Sequence, residues 1–224
     1  MLSFKILLIS IITLANSIDF SYGNGAKQSF KVTNKIYSNL FLRRREEHKN
    51  LLQHLTTTEK YEKRYKLIEL AFQKIINGLR ESKATLEDAN YRPQLEFPED
   101  QGIADALAFV LENTCLIGDL VLHFPDISYR ILKGVRDWKP LFNWCINFAK
   151  KVDQIVDELS VRMLDLFYQE INEDERTPEY FNPYLEANQK KHAKAENGQK
   201  DKVKPTKTKK KIKRGPQLAG RTEL

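Results

Sequence analysis

One stretch of this chain limits its fold more than any other. From 106 to 122 it is apolar almost all the way round a helix, through Ala106, Leu107, Val110, Leu111, Thr114, Ile117, Val121 and Leu122. Only Glu112, Asn113 and Asp119 interrupt it. A helix without a polar face has to be enclosed by other elements. The windows that could enclose it are also helical. Val32, Ile36, Leu40, Leu51 and Leu55 keep 3.6-residue spacing and predict a helix over 28–55, broken by the charged stretch 43–49. Thr56, Thr57 and Thr58 end it, and Thr58 is the expected N-cap of the next. Tyr61, Tyr65, Ile68, Phe72, Ile75, Ile76 and Leu79 predict a second helix over 59–82.

Pro93 and Pro98 mark a linker before the apolar helix, which is predicted from Ile103. Phe124 and Pro125 open a short fourth helix that Gly134 closes, with proline at a permitted early position. A final long helix is predicted from Trp138 to Ile171. Its apolar residues Leu141, Cys145, Phe148, Val152, Ile155, Leu159, Met163 and Leu166 step by threes and fours, as in a heptad seam or an ordinary bundle helix. No alternating strand pattern of useful length occurs. The fold class is therefore all-α, a bundle of four to five helices. Three regions result: residues 1–23, a helical domain over 24–185, and a basic tail over 186–224. In the domain's last stretch, Tyr180, Phe181, Asn182, Pro183 and Tyr184 form an aromatic cluster expected to dock back on the bundle.

Both ends of the chain read as address signals. Lys5 precedes nine apolar-patterned residues at 6–14, and small residues come after it at Ala15 and Ser17, with Gly23 as a second cleavage point. This is the pattern of a secretory signal peptide. The run is shorter than the roughly 20 residues a membrane helix needs. No later segment is expected to span a bilayer, so no stable membrane insertion is expected. At the other end, Arg221, Thr222, Glu223 and Leu224 resemble a retrieval tetrapeptide of the endoplasmic reticulum (ER), read by a retrieval receptor. Thr222 replaces the usual acid, which weakens the signal and lets a fraction leak outward. The expected location is the ER lumen with partial secretion.

Charge is segregated. Residues 190–214 hold twelve Lys or Arg and two acids, or +10; the chain's total of +7 leaves −3 for the rest. Such a tail cannot bury enough apolar surface to offset its ordering entropy and is expected to be disordered. Lys207, Lys209, Lys210, Lys211, Lys213 and Arg214 could hold an acidic partner, or simply keep the retrieval signal accessible. They lack interleaved aromatics that stack on bases, so nucleic acid is not an expected partner.

Chemistry is scarce. His48 and His54 are six apart and do not share a helical face as two metal ligands would. No metal, cofactor or nucleophile motif appears. Glu112 and Asp119 lie two turns apart on the apolar helix, and pairing with neighbouring elements is favoured over acid–base work. Cys115 and Cys145 are either a disulfide, in an oxidising lumen, or two buried free thiols. No enzymatic activity is expected.

Several stretches together resemble the coiled-coil domain-containing protein 134 family. Phe97, Pro98, Glu99 and Asp100 lead through Val110, Glu112, Asn113 and Thr114 to Gly118, Asp119, Val121, Leu122, Phe124 and Pro125. Trp138, Leu141, Trp144 and Phe148 continue the match. The order of parts also agrees, down to Arg214, Gly215, Pro216 and the Glu-Leu ending. The resemblance implies a non-enzymatic lumenal factor that protects the lumenal chaperone endoplasmin from aberrant glycosylation and loss during its synthesis. It also implies a secreted, cytokine-like form that dampens mitogen-activated kinase signalling, and a nuclear role.

Overall fold

The computed structural model describes residues 32–185. These form six helices and, among the described residues, no strand. Helix α1 is Asn34–Thr57, α2 Tyr61–Asp88 and α3 Gln101–His123. Next come α4 Pro125–Leu132, α5 Trp138–Ala149 and α6 Glu158–Ile171, then a single 3₁₀ turn, Glu173–Glu175. The apolar helix α3 is the axis, and each of the other five packs on it. Every core position assigned to its apolar stretch from the sequence is buried.

Helix α3 also has the length and apolar composition that a membrane span needs, which corrects the expectation that no later segment would. Here 89% of its apolar window is buried inside the protein. The same helix can therefore be read as the core of a bundle, covered by protein.

The helix ends obey local chemistry. Asp100 caps α3 by accepting from Ile103 N at 2.9 Å. Thr33 is extended and accepts from Ile36 N at 3.4 Å, so α1 begins at Asn34 rather than at 28. The threonines do not stop α1 at 55: the hydroxyls of Thr56 and Thr57 donate back to Leu52 O and His54 O. Thr58 caps the end of α1, donating to His54 O at 2.9 Å, and not the start of α2. Helix α2 runs beyond 82 because Leu86 is buried and Lys83 pairs with Glu87 one turn on. Asn90, at φ 51°, turns the chain out of it.

The largest correction is the long final helix. It is two helices, α5 and α6, separated by residues 150–157. Asp157 is the cause. Its carboxylate accepts from Leu159 N, Ser160 N and the Ser160 hydroxyl at 3.1, 3.2 and 2.7 Å, which starts a new helix. Val152, Ile155 and Val156 stay buried in the intervening turns, so the apolar spacing persists where the helix does not. Leu159, which the spacing places in the seam, is 72% exposed. This break turns five expected helices into six.

Close packing is tight where α3 meets α6. A Cβ added at Gly118 would stand 2.9 Å from the Phe167 ring and 3.0 Å from Met163 Sδ, and both neighbours are buried. Gly118→Val should therefore lower stability by about 1–3 kcal/mol through overpacking. Gly134→Ala, whose Cβ meets only Ile131 O at 3.6 Å, should change it by less than about 0.5 kcal/mol. Urea unfolding of the two variants measures the difference.

Candidate functional site

The most concentrated chemistry among the described residues is an ionic layer between α1 and α3. The charged stretch 43–49, which reads as a gap in the apolar face of α1, sends two arginines inward. Arg44 Nε meets Glu112 Oε2 at 2.9 Å. Arg45 Nη1 meets Asp119 Oδ2 at 2.5 Å, and Arg45 Nε donates to Ser160 Oγ at 3.1 Å. Tyr37 donates its hydroxyl to Glu112 Oε1 at 2.7 Å. One pair of adjacent arginines thus reaches both buried acids of the apolar helix and touches α6.

His48 completes the layer. It is buried, with Nδ1 3.1 Å from Arg45 Nη1. A guanidinium can only donate, so Nδ1 accepts and the ring is neutral with its proton on Nε2. Burial holds His48 well below the ordinary histidine value, and the charges of Arg45 and Arg44 add to the effect. Burial lifts the Glu112 carboxyl above its usual range, while Arg44 and the Tyr37 hydroxyl pull it back. Both buried carboxylates of α3 are engaged by partners, the arrangement favoured from the sequence. Among the described residues no group of three or more His, Cys, Asp or Glu is placed to hold a metal.

The sequence does carry a signal for this layer, beyond the two acids themselves. Two buried acids seven residues apart on an apolar helix require two cations. Arg44 and Arg45 lie between the buried Phe41 and His48 on the helix that packs against it.

The second feature is a strap over residues 176–185. Arg176 Nε and Nη2 donate to Gln169 O and Glu170 O, both at 2.8 Å, and its guanidinium lies 4.8 Å over the Tyr180 ring. Tyr180 donates to Glu170, and Tyr129 donates to Glu170 O at 2.7 Å. Asn182 is buried and donates to Leu122 O at 2.9 Å, and the Tyr184 ring stands 4.6 Å from that of His123. The aromatic cluster 180–184 does dock on the bundle, as its composition suggests.

Cys115 and Cys145, the disulfide candidates, are free thiols here, and both are buried. Burial pushes each up to about 12, and Cys145 meets Thr114. Arg221, Thr222, Glu223, Leu224 and the tail residues Lys207, Lys209, Lys210, Lys211, Lys213 and Arg214 lie outside the described residues, as do the signal-peptide pattern and the expected disorder of the tail.

Residues 24–219 match the profile of a family described as "ERK and JNK pathways, inhibitor". The chain is 31% identical over 178 residues to a Xenopus tropicalis protein named coiled-coil domain-containing protein 134, covering 80% of this chain and 76% of that one. It is 28% identical over 150 residues to the Mus musculus protein of the same name, covering 67% of this chain and 66% of that one. No solved structure matches it.

Arg45→Ala would leave Asp119 buried without its cation and should cost about 3–5 kcal/mol. The Arg45→Ala, Asp119→Ala double variant should cost less than the sum of the two single changes. Denaturant unfolding of the three variants tests the pair. His48 sets a pH dependence. The unfolded chain protonates it near 6.5, and the folded chain resists until well below that. The unfolded state then binds more protons as pH falls past 6.5, so this contribution to stability is whole above that value and is lost toward acid. His123, also lowered by burial, acts in the same direction. Glu112, raised, acts in the opposite direction in the carboxylate range. The urea midpoint should fall between neutral pH and about pH 5, and His48→Gln should flatten that slope.

Proposed function

This chain belongs to the family described as "ERK and JNK pathways, inhibitor", and we propose that it is a non-enzymatic helical adaptor of the ER lumen. It binds endoplasmin during that chaperone's synthesis, in keeping with the family resemblance, and supports its folding and the control of its glycosylation. The observation that carries this reading is the presence of two address signals on one chain. The pattern at Lys5 and 6–14 sends the chain across the membrane, and Arg221, Thr222, Glu223 and Leu224 return it through the retrieval receptor.

The described body supports a binding role. Its inward carboxylates, Glu112 and Asp119, are held by Arg44 and Arg45 and are not open to a substrate. What the body offers a partner is a helical surface, and the lysine-rich tail adds a salt-sensitive contact for acidic groups.

A second reading is favoured by the family description, which names ERK and JNK pathways. In it the protein leaves the cell, helped by Thr222 in the retrieval position, and lowers kinase signalling from outside as a helical regulator.

Both readings can be tested on one internally tagged protein. With its natural C-terminus it should stay in the ER, and mild crosslinking of the lumen should recover endoplasmin peptides. Removal of Leu224 should move most of it to the medium. Unchanged retention after that deletion would refute retrieval. Absence of endoplasmin from the capture, together with a fall in ERK and JNK phosphorylation in cells given the secreted form, would decide for the second reading.

A further inference from the structure

Residues 130–139 carry a cation at every third position, Arg130, Lys133, Arg136 and Lys139, with Asp137 the one acid among them. All four are exposed, and so is Arg80 on α2, whose Nη2 donates to Arg136 O at 2.7 Å. None of the five is ion-paired to a described residue, the adjacent acids Asp137 and Glu81 included. The described body leans the other way: residues 32–185 hold 21 Lys or Arg against 25 Asp or Glu, or −4. A row of unneutralised cations, with a further arginine brought up to one of them, repels itself, and an anion from outside relieves that repulsion. We propose that this corner of α2, α4 and α5 is a docking surface for an acidic segment of a partner protein. This goes beyond the adaptor reading and does not rest on it, since acidic segments meet the chain in the ER lumen and outside the cell alike.

The fold holds the row ready. Between the cations, Ile131 and Leu132 are buried and Val135 and Trp138 pack against the core, which leaves the charged side chains outward. Gly134 N and Val135 N donate to Ile131 O and Leu132 O at 3.1 and 3.0 Å, and the Trp138 ring stands 5.6 Å from that of Phe142. The Arg130 guanidinium lies 5.9 Å over the Tyr61 ring. A backbone fixed in this way loses little entropy when a partner binds. Helix α5 starts within the row, at Trp138, without a side-chain cap, so its positive end adds to the same field.

The chemistry of the row selects its occupant. Arg80, Arg130 and Arg136 are guanidinium groups, whose planar fork takes a carboxylate through two parallel N–H donors. Val135 and Trp138 are partly buried between them and leave apolar surface for an apolar residue of the same segment to cover. Extent argues against a long polyanion. A sulfated polysaccharide or an anionic bilayer reaches past the row to the rest of a body that carries −4, while attraction to the row fades over about 8 Å at physiological salt. The lysine-rich tail is the better contact for either. A short acidic segment meets the row alone.

The test uses the purified full chain and a short fluorescent peptide, rich in glutamate with a few leucines. Hydrogen exchange over 130–139 should slow when the peptide binds. Arg80→Glu with Arg136→Glu should weaken binding at least about tenfold. Lys133→Glu with Lys139→Glu, which touches no described contact of Arg80, should weaken it too, and the urea midpoint of that variant should stay as it was. Replacing Lys207, Lys209, Lys210, Lys211, Lys213 and Arg214 by glutamine should leave the protection of 130–139 in place. Binding that leaves exchange over 130–139 unchanged, or that survives both charge reversals and is lost only with the tail replacements, overturns the surface. Stronger protection of 130–139 by heparin, or by vesicles containing phosphatidylserine, than by the peptide overturns the choice of occupant.

Discussion

Two carboxylates inside an otherwise apolar stretch of helix set the terms for the rest of this molecule. Helix α3 is enclosed by the other five, and Glu112 and Asp119 are buried with it. An unpaired charge in that position is costly enough to unfold a domain of this size. The bundle can close only if another element brings cations to both acids. Helix α1 does so with Arg44 and Arg45, and the register of α1 on α3 depends on that requirement as much as on apolar matching. Arg45 extends the constraint to α6 through Ser160. Three helices are therefore tied by directional contacts, and the remaining apolar surface fills in around them.

The helices are largely legible in the sequence because burial of one stripe leaves a period of 3.6 in the residues themselves. The core of α3, the stripe of α2 and the proline start of α4 all carry that mark. The boundaries are less legible, since they depend on single side chains with two available roles. Thr58 can cap either the helix after it or the helix before it, and in the folded chain it donates to His54 O. The split between α5 and α6 is hidden for a related reason. Val152 and Ile155 keep helical spacing while sitting in turns, and Asp157 has the same letter whether it is a solvated acid or an N-cap. Periodicity reports which residues face the core; it does not report the backbone that carries them there.

The ionic layer is half legible. Glu112 and Asp119 stand out as acids in apolar company, and pairing is the reading their setting favours. Their partners are harder to name, because a run of charges such as 43–49 ordinarily marks a solvated face. Spacing alone argues against His48 and His54 as a ligand pair. The place of His48 against Arg45, in contrast, comes from the tertiary packing of α1 on α3. The family is readable from short blocks such as Phe97 to Asp100, and the similarity to relatives in frog and mouse agrees.

Asn182 bears on where this domain stops. Sixty residues separate it from Leu122, yet its side-chain amide donates to the Leu122 carbonyl at 2.9 Å, in a position closed to water. A polypeptide cut after the last α-helix, at Asn172, would expose the last turn of α3 and strip that carbonyl of its donor. The smallest autonomous unit therefore runs past its own helices to the residues that seal them, and a fragment designed on secondary structure alone would begin to fray at the centre instead of at the edge.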